Sequence, residues 1–250
     1  MPLTAPQTMI ARIVAGLACL LLVAGCSRQE DKAFEKQMRE YLLAHPEVIQ
    51  EAAIKLRQKQ AAASASVLKN AQARLERDPR DFVANPNGAI TVVQFYDYRC
   101  TYCQAIAPEV LKLIANTPDV RVVFKEHPVF GSVSDSAAKV ALTPQGQSKG
   151  LELYRGLMSQ KKLTEPRLDT VISSLGLNPQ AVRAAAGDPA IAKHIQDTRA
   201  LAQEINITGT PTFLVAGQVI QGADMDKLDQ AIKRARSASY EALASTPAHR

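Results

Sequence analysis

Apolar and polar positions change their spacing several times along the chain, and each change marks a different element. Residues Ile13 to Gly25 form an uncharged apolar run of 13 residues. That is the length of a signal-peptide core and too short to span a membrane comfortably. From residue 30 to about 78 the spacing is helical and glycine is scarce. Phe34, Met38, Tyr41 and Leu42 recur on one face, and Val48, Ile49, Ala52, Ala53 and Leu56 follow His45-Pro46. Pro46 predicts the start of a second helix, because proline is tolerated in a first turn. Ala61 to Arg77 is rich in helix formers, but its apolar face is thin: Val67, Leu68, Ala71 and Leu75. Such a helix needs a partner, either the main domain or another copy of itself. A spacer and an oligomerisation stalk are both compatible with it.

Asp78-Pro79-Arg80 stops the helical region, and Asn85-Pro86-Asn87-Gly88 signals a turn. The period then shortens. Ile90 to Tyr96 and Val120 to Phe124 are continuous apolar runs of strand length, separated by a helix over Cys103 to Ala115 that contains Pro108. A strand, a short helical crossover and a second strand favour parallel pairing. Helical spacing returns over Ser134–Leu142, Ser148–Ser159, Glu165–Leu175, Pro179–Ala186 and Pro189–Ile205. Phe213 to Ala216 and Val219-Ile220 around Gly217-Gln218 predict a hairpin. Asp224 is placed to cap a last helix through about Ala238, and 244–250 carries no strong pattern. Helices alternating with a few strands put the domain in the α/β class.

Net charge is +6, a mild basic excess suited to anionic lipid or acidic clients. No dense Lys/Arg tract with interleaved aromatics is present, which argues against nucleic acid. The four cysteines divide by position. Cys19 lies within the apolar leader, and Val23-Ala24-Gly25-Cys26 resembles the lipobox of bacterial lipoproteins. That resemblance implies lipidation at Cys26, with the mature chain beginning there, and Ser27 resembles the outer-membrane sorting pattern. An ordinary small-residue cleavage site is the alternative. Translation from Met9 would give a tidier leader than translation from Met1. Either way the chain is expected to be exported into an oxidising compartment.

Cys100 and Cys103 then remain, spaced by Thr101-Tyr102 directly after the apolar strand. One short-loop bridge constrains an unfolded chain little, so stapling is a weak explanation for the pair. A CxxC delivered by a strand to a helix start is the pattern of a thiol–disulfide exchange site. Unpaired amides at the helix N-terminus favour thiolate over thiol at the first cysteine, and the thiolate is the attacking species.

In this arrangement the chain is similar to the thioredoxin superfamily, specifically its DsbA-like branch. The strand running into Asp97-Tyr98-Arg99 and the CxxC, Pro108 in the following helix, Lys125-Glu126-His127-Pro128, a long helical insert, and Gly209-Thr210-Pro211-Thr212-Phe213 carry the resemblance across about residues 86–240. It implies a thioredoxin-like fold with a DsbA-type helical insertion, preceded by an N-terminal helical extension. The corresponding divisions are a leader over 1–25, an extension over 26–80, the thioredoxin-like domain over 81–241 and a tail over 242–250. It also implies Cys100 as nucleophile, Cys103 as resolving thiol, a redox-active Cys100–Cys103 disulfide, and Thr210 with a cis Pro211 holding the client. No bound cofactor is needed. Expected partners are exported proteins with thiols or disulfides and a membrane protein that resets the pair. Tyr41 to Ile49, followed by Glu51, resembles the extension of the ScsC and copper-stress group, which implies homo-oligomerisation through residues 30–78 and isomerase or reductase behaviour.

Two positions depart from the family pattern. Gln94 stands where many relatives bury an acid beneath the cysteines, and glutamine does not titrate. Water, Asp97 or Glu126 is then left to move the proton, although a core-edge or solvent-facing role for both acids fits the sequence equally well. The Thr101-Tyr102 spacer lacks a potentially charged His, which predicts a less oxidising couple. Two rival readings remain. A thiolate metal site needs further ligands, available only from His45, His127, His194 and His249, and no metal is expected. A noncatalytic peptide-gripping lipoprotein would keep its cysteines inert. Gln104 after Cys103 excludes the CxxCH haem signature.

Overall fold

The computed structural model describes residues 32–244; the leader, Cys19, Cys26 and the last part of the tail, including His249, lie outside the described residues. The chain divides into two compact units, Met1–Ala62 and Ala63–Arg250.

In the first unit a helix, α1, covers 32–44. The His45-Pro46 break follows, and α2 (Glu47–Glu76) starts immediately after it, where Pro46 predicts. The stretches expected as separate helices on either side of Ala61 are one helix, because no Gly, Pro or cap interrupts 47–76. Within the first unit Phe34, Met38, Tyr41, Leu43, Ile49, Ile54 and Leu56 are exposed. Tyr41 stacks on His45 with ring centroids 4.7 Å apart.

The second unit is built on a five-stranded sheet in the order β1-β3-β2-β4-β5. Its strands are β1 (Phe82–Ala84), β2 (Ile90–Tyr96), β3 (Val120–Glu126), β4 (Thr212–Val215) and β5 (Gln218–Gln221). β2 and β3 are parallel, joined by α3 (Thr101–Asn116), and the other pairings are antiparallel. The insertion consists of α4 (Ser132–Ala141), α5 (Pro144–Ser148), α6 (Gly150–Met158), α7 (Glu165–Ser174), α8 (Pro179–Ala185) and α9 (Pro189–Glu204), and α10 (Met225–Ala244) closes the chain. This is the thioredoxin-like fold with a DsbA-type insertion that the resemblance implies.

Both faces of β2 are buried, which is why its sequence reads as an unbroken apolar run. Val92 and Tyr96 point into a core shared with Ile106, Val110, Tyr154, Leu168 and Ile232. Val93 and Phe95 point to the opposite face, against Ala71, Leu75, Leu201 and Ile205. The part of α2 that lies in the second unit thus packs its thin apolar face, Val67, Leu68, Ala71 and Leu75, on the sheet. Just before β1, Asp81, itself buried, receives the buried Lys125 ammonium and hydrogen-bonds His194 at 2.9 Å, while Lys125 also donates to the Arg74 carbonyl.

Several boundaries differ from the sequence expectation. β1 is three residues long, too short to show a period. The hairpin turn is Ala216-Gly217, both at positive φ (47° and 80°), one residue earlier than Gly217-Gln218. Ala seldom adopts that conformation, so the composition signal points past it. Residues Ser148 to Ser159 break at Lys149, and α10 continues beyond Ala238. The Asp224 carboxylate caps it, accepting the Lys227 amide at 3.0 Å.

Candidate active site

β2 ends at Tyr96, and Asp97-Tyr98-Arg99 carries the chain to Cys100, the N-cap of α3. The helix starts at Thr101 rather than Cys103, because the Cys100 sulfur takes the place of a capping oxygen and accepts the Cys103 amide at 3.4 Å. The Cys100 sulfur lies 3.2 Å from the Thr210 carbonyl, to which it donates in its thiol form. Thr210–Pro211 is a cis peptide at the start of β4, so the segment expected to hold a client does lie against the first thiol.

Both cysteines are free thiols and both are buried, yet their environments push them in opposite directions. The Cys103 thiol hydrogen bond and the first-turn amides of Cys103 and Tyr102 bring Cys100 down from an ordinary thiol to about 6, against the opposing effect of burial. Burial raises Cys103 strongly, and its hydrogen bond to Cys100 raises it further. At neutral pH about nine-tenths of Cys100 is then thiolate, whereas Cys103 keeps its proton. Of the two spacer residues, Thr101 is exposed at the first helical position and Tyr102 is 67% exposed.

Gln94 is fully buried in β2. It donates to the Tyr154 hydroxyl at 3.3 Å, while its Oε1 has no partner among the described residues. Asp97 and Glu126 are also buried, which rules out the solvent-facing alternative for both and leaves the others open. Asp97 is paired by hydrogen bonds alone. Its carboxylate accepts from the amides of Arg99 (2.6 Å), Val129 (2.7 Å) and Phe130 (3.1 Å) and from the Ser134 hydroxyl (2.8 Å). Glu126 accepts from the Tyr96 and Tyr98 hydroxyls, the latter at 3.0 Å. Those bonds favour its charge, but burial prevails and pushes it up to about 8.

Sequence reasoning missed Tyr98, Tyr154 and Ser134. Their partners lie 28 to 60 positions away, and no local spacing announces them. Gln104, noted only for excluding haem, bridges the Tyr98 and Gln160 carbonyls at 2.7 and 3.0 Å. Of the histidines, His127 packs edge-on against Phe95. His194 gathers with Asp78 and Asp81 in a set whose ligand atoms lie within 4.8 Å of one another. That set does not suit a cation: the Lys125 ammonium already sits on Asp81 and the Arg80 guanidinium on Asp78.

Comparison with known proteins gives matches at both ends of the described chain. A family model described as the DSBA-like thioredoxin domain matches residues 91–233. Another, the copper resistance protein ScsC N-terminal domain, matches residues 30–63. A thioredoxin-like oxidoreductase from Silicibacter pomeroyi is 34% identical with a TM-score of 0.63, covering 66% of this chain and 97% of that one. ScsC from Proteus mirabilis in a transitional conformation is 24% identical with a TM-score of 0.62, covering 84% and 98%, a likeness of fold. Among curated relatives, the Na(+)/H(+) antiporter NhaA 3 of Salinispora tropica is 30% identical over 146 residues, 56% of this chain. The chain spans only 22% of that protein's length. No helix among the described residues is long and apolar enough to cross a membrane.

Proposed function

The chain belongs to the family of DSBA-like thioredoxin domains, and from that membership we propose that it is a thiol–disulfide exchange enzyme for exported proteins, in which Cys100 attacks and Cys103 resolves. The opposed ionisation of the two thiols carries this reading. A stabilised thiolate at the helix N-terminus is both a competent nucleophile and a good leaving group, and a buried neutral thiol beside it waits to resolve. An inert bridge or a passive peptide-gripping domain has no use for that asymmetry.

In the reducing direction, the Cys100 thiolate attacks one sulfur of a client disulfide, expels the other as a client thiolate and forms a mixed disulfide. Cys103 then loses its proton and attacks the Cys100 sulfur, releasing the second client thiolate and leaving a Cys100–Cys103 disulfide. Two electrons have passed to the client, and a partner must return them. The oxidising direction runs the same bonds in reverse. A Cys100 value of about 6 lies between the ~7 of thioredoxin and the ~3.5 of DsbA. It supports a couple of intermediate poise, suited to shuffling disulfides as well as to making them. Thr210 and Pro211 hold the client strand beside Cys100.

The exposed apolar side chains of the first unit, together with the ScsC-type match over 30–63, support self-association through the extension. Several active sites on one assembly raise the effective concentration at a misoxidised client. The apolar run at 13–25 and Cys26 support export and lipid anchoring.

The test is trapping. Reduced Cys103→Ser protein incubated with an exported client carrying disulfides is expected to accumulate a mixed disulfide through Cys100, whereas Cys100→Ser protein traps nothing. Equal trapping by both variants, or none by either, overturns the assignment.

A further inference from the structure

Closing the Cys100–Cys103 disulfide releases a proton inside the protein. Cys103 is fully buried, and burial holds it in its protonated form, so a thiol that must resolve a mixed disulfide needs a base in the same layer of the core. Gln94 lies in that layer against Tyr154 and does not titrate. Asp97 engages its carboxylate with four donors, three of them backbone amides, and is turned toward the segment after β3. Glu126 is arranged differently. It pairs in register with Tyr96 on β2 and is 4% exposed. Its carboxylate has only the hydroxyls of Tyr96 and Tyr98 as partners among the described residues. No cation among them pairs with it: Lys125, the preceding residue on β3, points to the opposite face and meets Asp81.

Hydroxyls both donate and accept, so the tyrosines extend the reach of this carboxylate. The Tyr96 and Tyr98 hydroxyls lie 3.1 Å apart, and the Tyr154 ring stands edge-on to Tyr96 with centroids 5.4 Å apart. The Tyr154 hydroxyl takes the Gln94 amide at 3.3 Å and is within electrostatic reach of both the Cys103 sulfur and the Glu126 carboxylate. On the same side chain, Gln94 Oε1 is buried with no partner among the described residues, an acceptor open to a moving proton. We propose that Glu126 is the proton reservoir of the thiol pair, taking up the proton that Cys103 gives up as the disulfide closes and returning it as the disulfide opens. Glu126 hydrogen-bonds neither sulfur, so it is a positioning residue for the proton and acts through Tyr96, Tyr98 and Tyr154. The inference rests on the reading of Cys100 as nucleophile and Cys103 as resolving thiol.

In the closing step Cys103 attacks the Cys100 sulfur; its S–H bond breaks and an O–H bond forms on Glu126. The S–S bond of the mixed disulfide breaks with its electron pair on the client sulfur, which leaves as thiolate. The negative charge thus passes from Glu126 to the client, and none is left in the buried layer. Opening the disulfide runs the same bonds backwards, with Glu126 as the acid. The groups that face Glu126 are Tyr96 from β2, Asp97 and Tyr98 from the segment after it, Tyr154 from α6, Cys103 across Tyr154, and Asp81 before β1. Burial raises Glu126 to about 8, the two tyrosine bonds oppose that, and the Asp97 and Asp81 charges add to it. The reservoir is therefore largely filled at pH 7 and emptied above 8.

The experiment uses the reduced full chain in excess over dithiobis-nitrobenzoate, each half of which is coloured on release. A first phase reports attack by Cys100 and a second reports resolution by Cys103, both followed by stopped flow from pH 6 to 10. In the wild-type chain the second phase is expected to rise about tenfold per pH unit and to level off near pH 8. Glu126→Gln keeps an acceptor for the tyrosines but takes no proton. Its second phase, relative to its first, is expected to be roughly tenfold or more slower at pH 7 and to climb without levelling. Tyr98→Phe removes one of the bonds that favour the charged carboxylate, so the break moves above pH 8. That variant decides the matter if Glu126→Gln does not fold. A break retained near pH 8 in Glu126→Gln, or an unshifted one in Tyr98→Phe, overturns the inference. Equal slowing of both phases with an unchanged pH profile reduces Glu126 to a structural role and overturns it as well. A normal first phase with a wild-type second phase that never levels overturns the reservoir alone. No colour in either phase overturns the enzyme reading and this inference with it.

Discussion

Replacing Cys103 by Ala removes the hydrogen bond that does most to hold Cys100 as a thiolate. The helix amides stay: the residue 103 amide, 3.4 Å from the sulfur, belongs to the backbone. A hydrogen bond to a charged group is worth about 1.5–3 kcal/mol, or roughly one to two pH units in the titration of that group. The Cys100 midpoint is therefore expected to rise from about 6 into the range ~7–8. Alkylation by iodoacetamide, followed by mass from pH 4 to 10, reads it directly, because only the thiolate reacts. Cys103 in the reduced wild-type chain stays protonated and silent over most of that range. At pH 6 half of wild-type Cys100 is thiolate, and the variant is expected to react roughly 5- to 50-fold more slowly. A wild-type midpoint near the ordinary thiol value of ~8.5, or a variant with an unchanged midpoint, refutes the account of how this site makes its nucleophile.

Two further outcomes follow from the buried charges. Glu126 titrates at about 8 against an ordinary 4.5. With the folded value above the unfolded one, its contribution is full below pH 4.5 and is lost as pH rises to 8, by about 1.4 kcal/mol per pH unit. Glu126→Gln should flatten the fall in stability across that window by one proton, and urea melts at pH 5, 6, 7 and 8 with parallel slopes in both proteins would contradict this. Lys125→Met leaves the buried Asp81 carboxylate without its cation, which costs about 3–5 kcal/mol and lowers the melting temperature by roughly 6–20 °C. A shift under 2 °C would mean that the pair contributes little.

The sequence showed most readily what is local or periodic. Ile90–Tyr96 and the CxxC that follows, the break at Pro46 and the Asp224 cap are each specified within a few residues. The Cys100–Thr210 contact was legible only through resemblance, because 110 positions separate the partners. The polar core beneath the site was not legible. Asp97 and Glu126 stand out in the sequence as candidate proton carriers, but not as buried groups, because their donors, the Val129 and Phe130 amides and two tyrosine hydroxyls, are brought in only by the β2–β3 pairing and the turn after it. Backbone amides carry no residue signature, so a carboxylate satisfied by them leaves no mark in composition. β1 and the Ala216-Gly217 turn were hidden for a simpler reason: three residues show no period, and alanine does not advertise positive φ.

The measurement that bears most directly on the central claim is the equilibrium of the Cys100–Cys103 pair in glutathione buffers of graded poise, followed by thiol labelling. Thioredoxin and DsbA pair thiol values of ~7 and ~3.5 with potentials near ~−270 and ~−120 mV. The Cys100 value of about 6 lies between those two, which predicts a single two-electron transition between those two potentials. A pair that stays reduced or oxidised across the whole series, exchanging with nothing, would contradict the reading of this chain as a thiol–disulfide exchange enzyme.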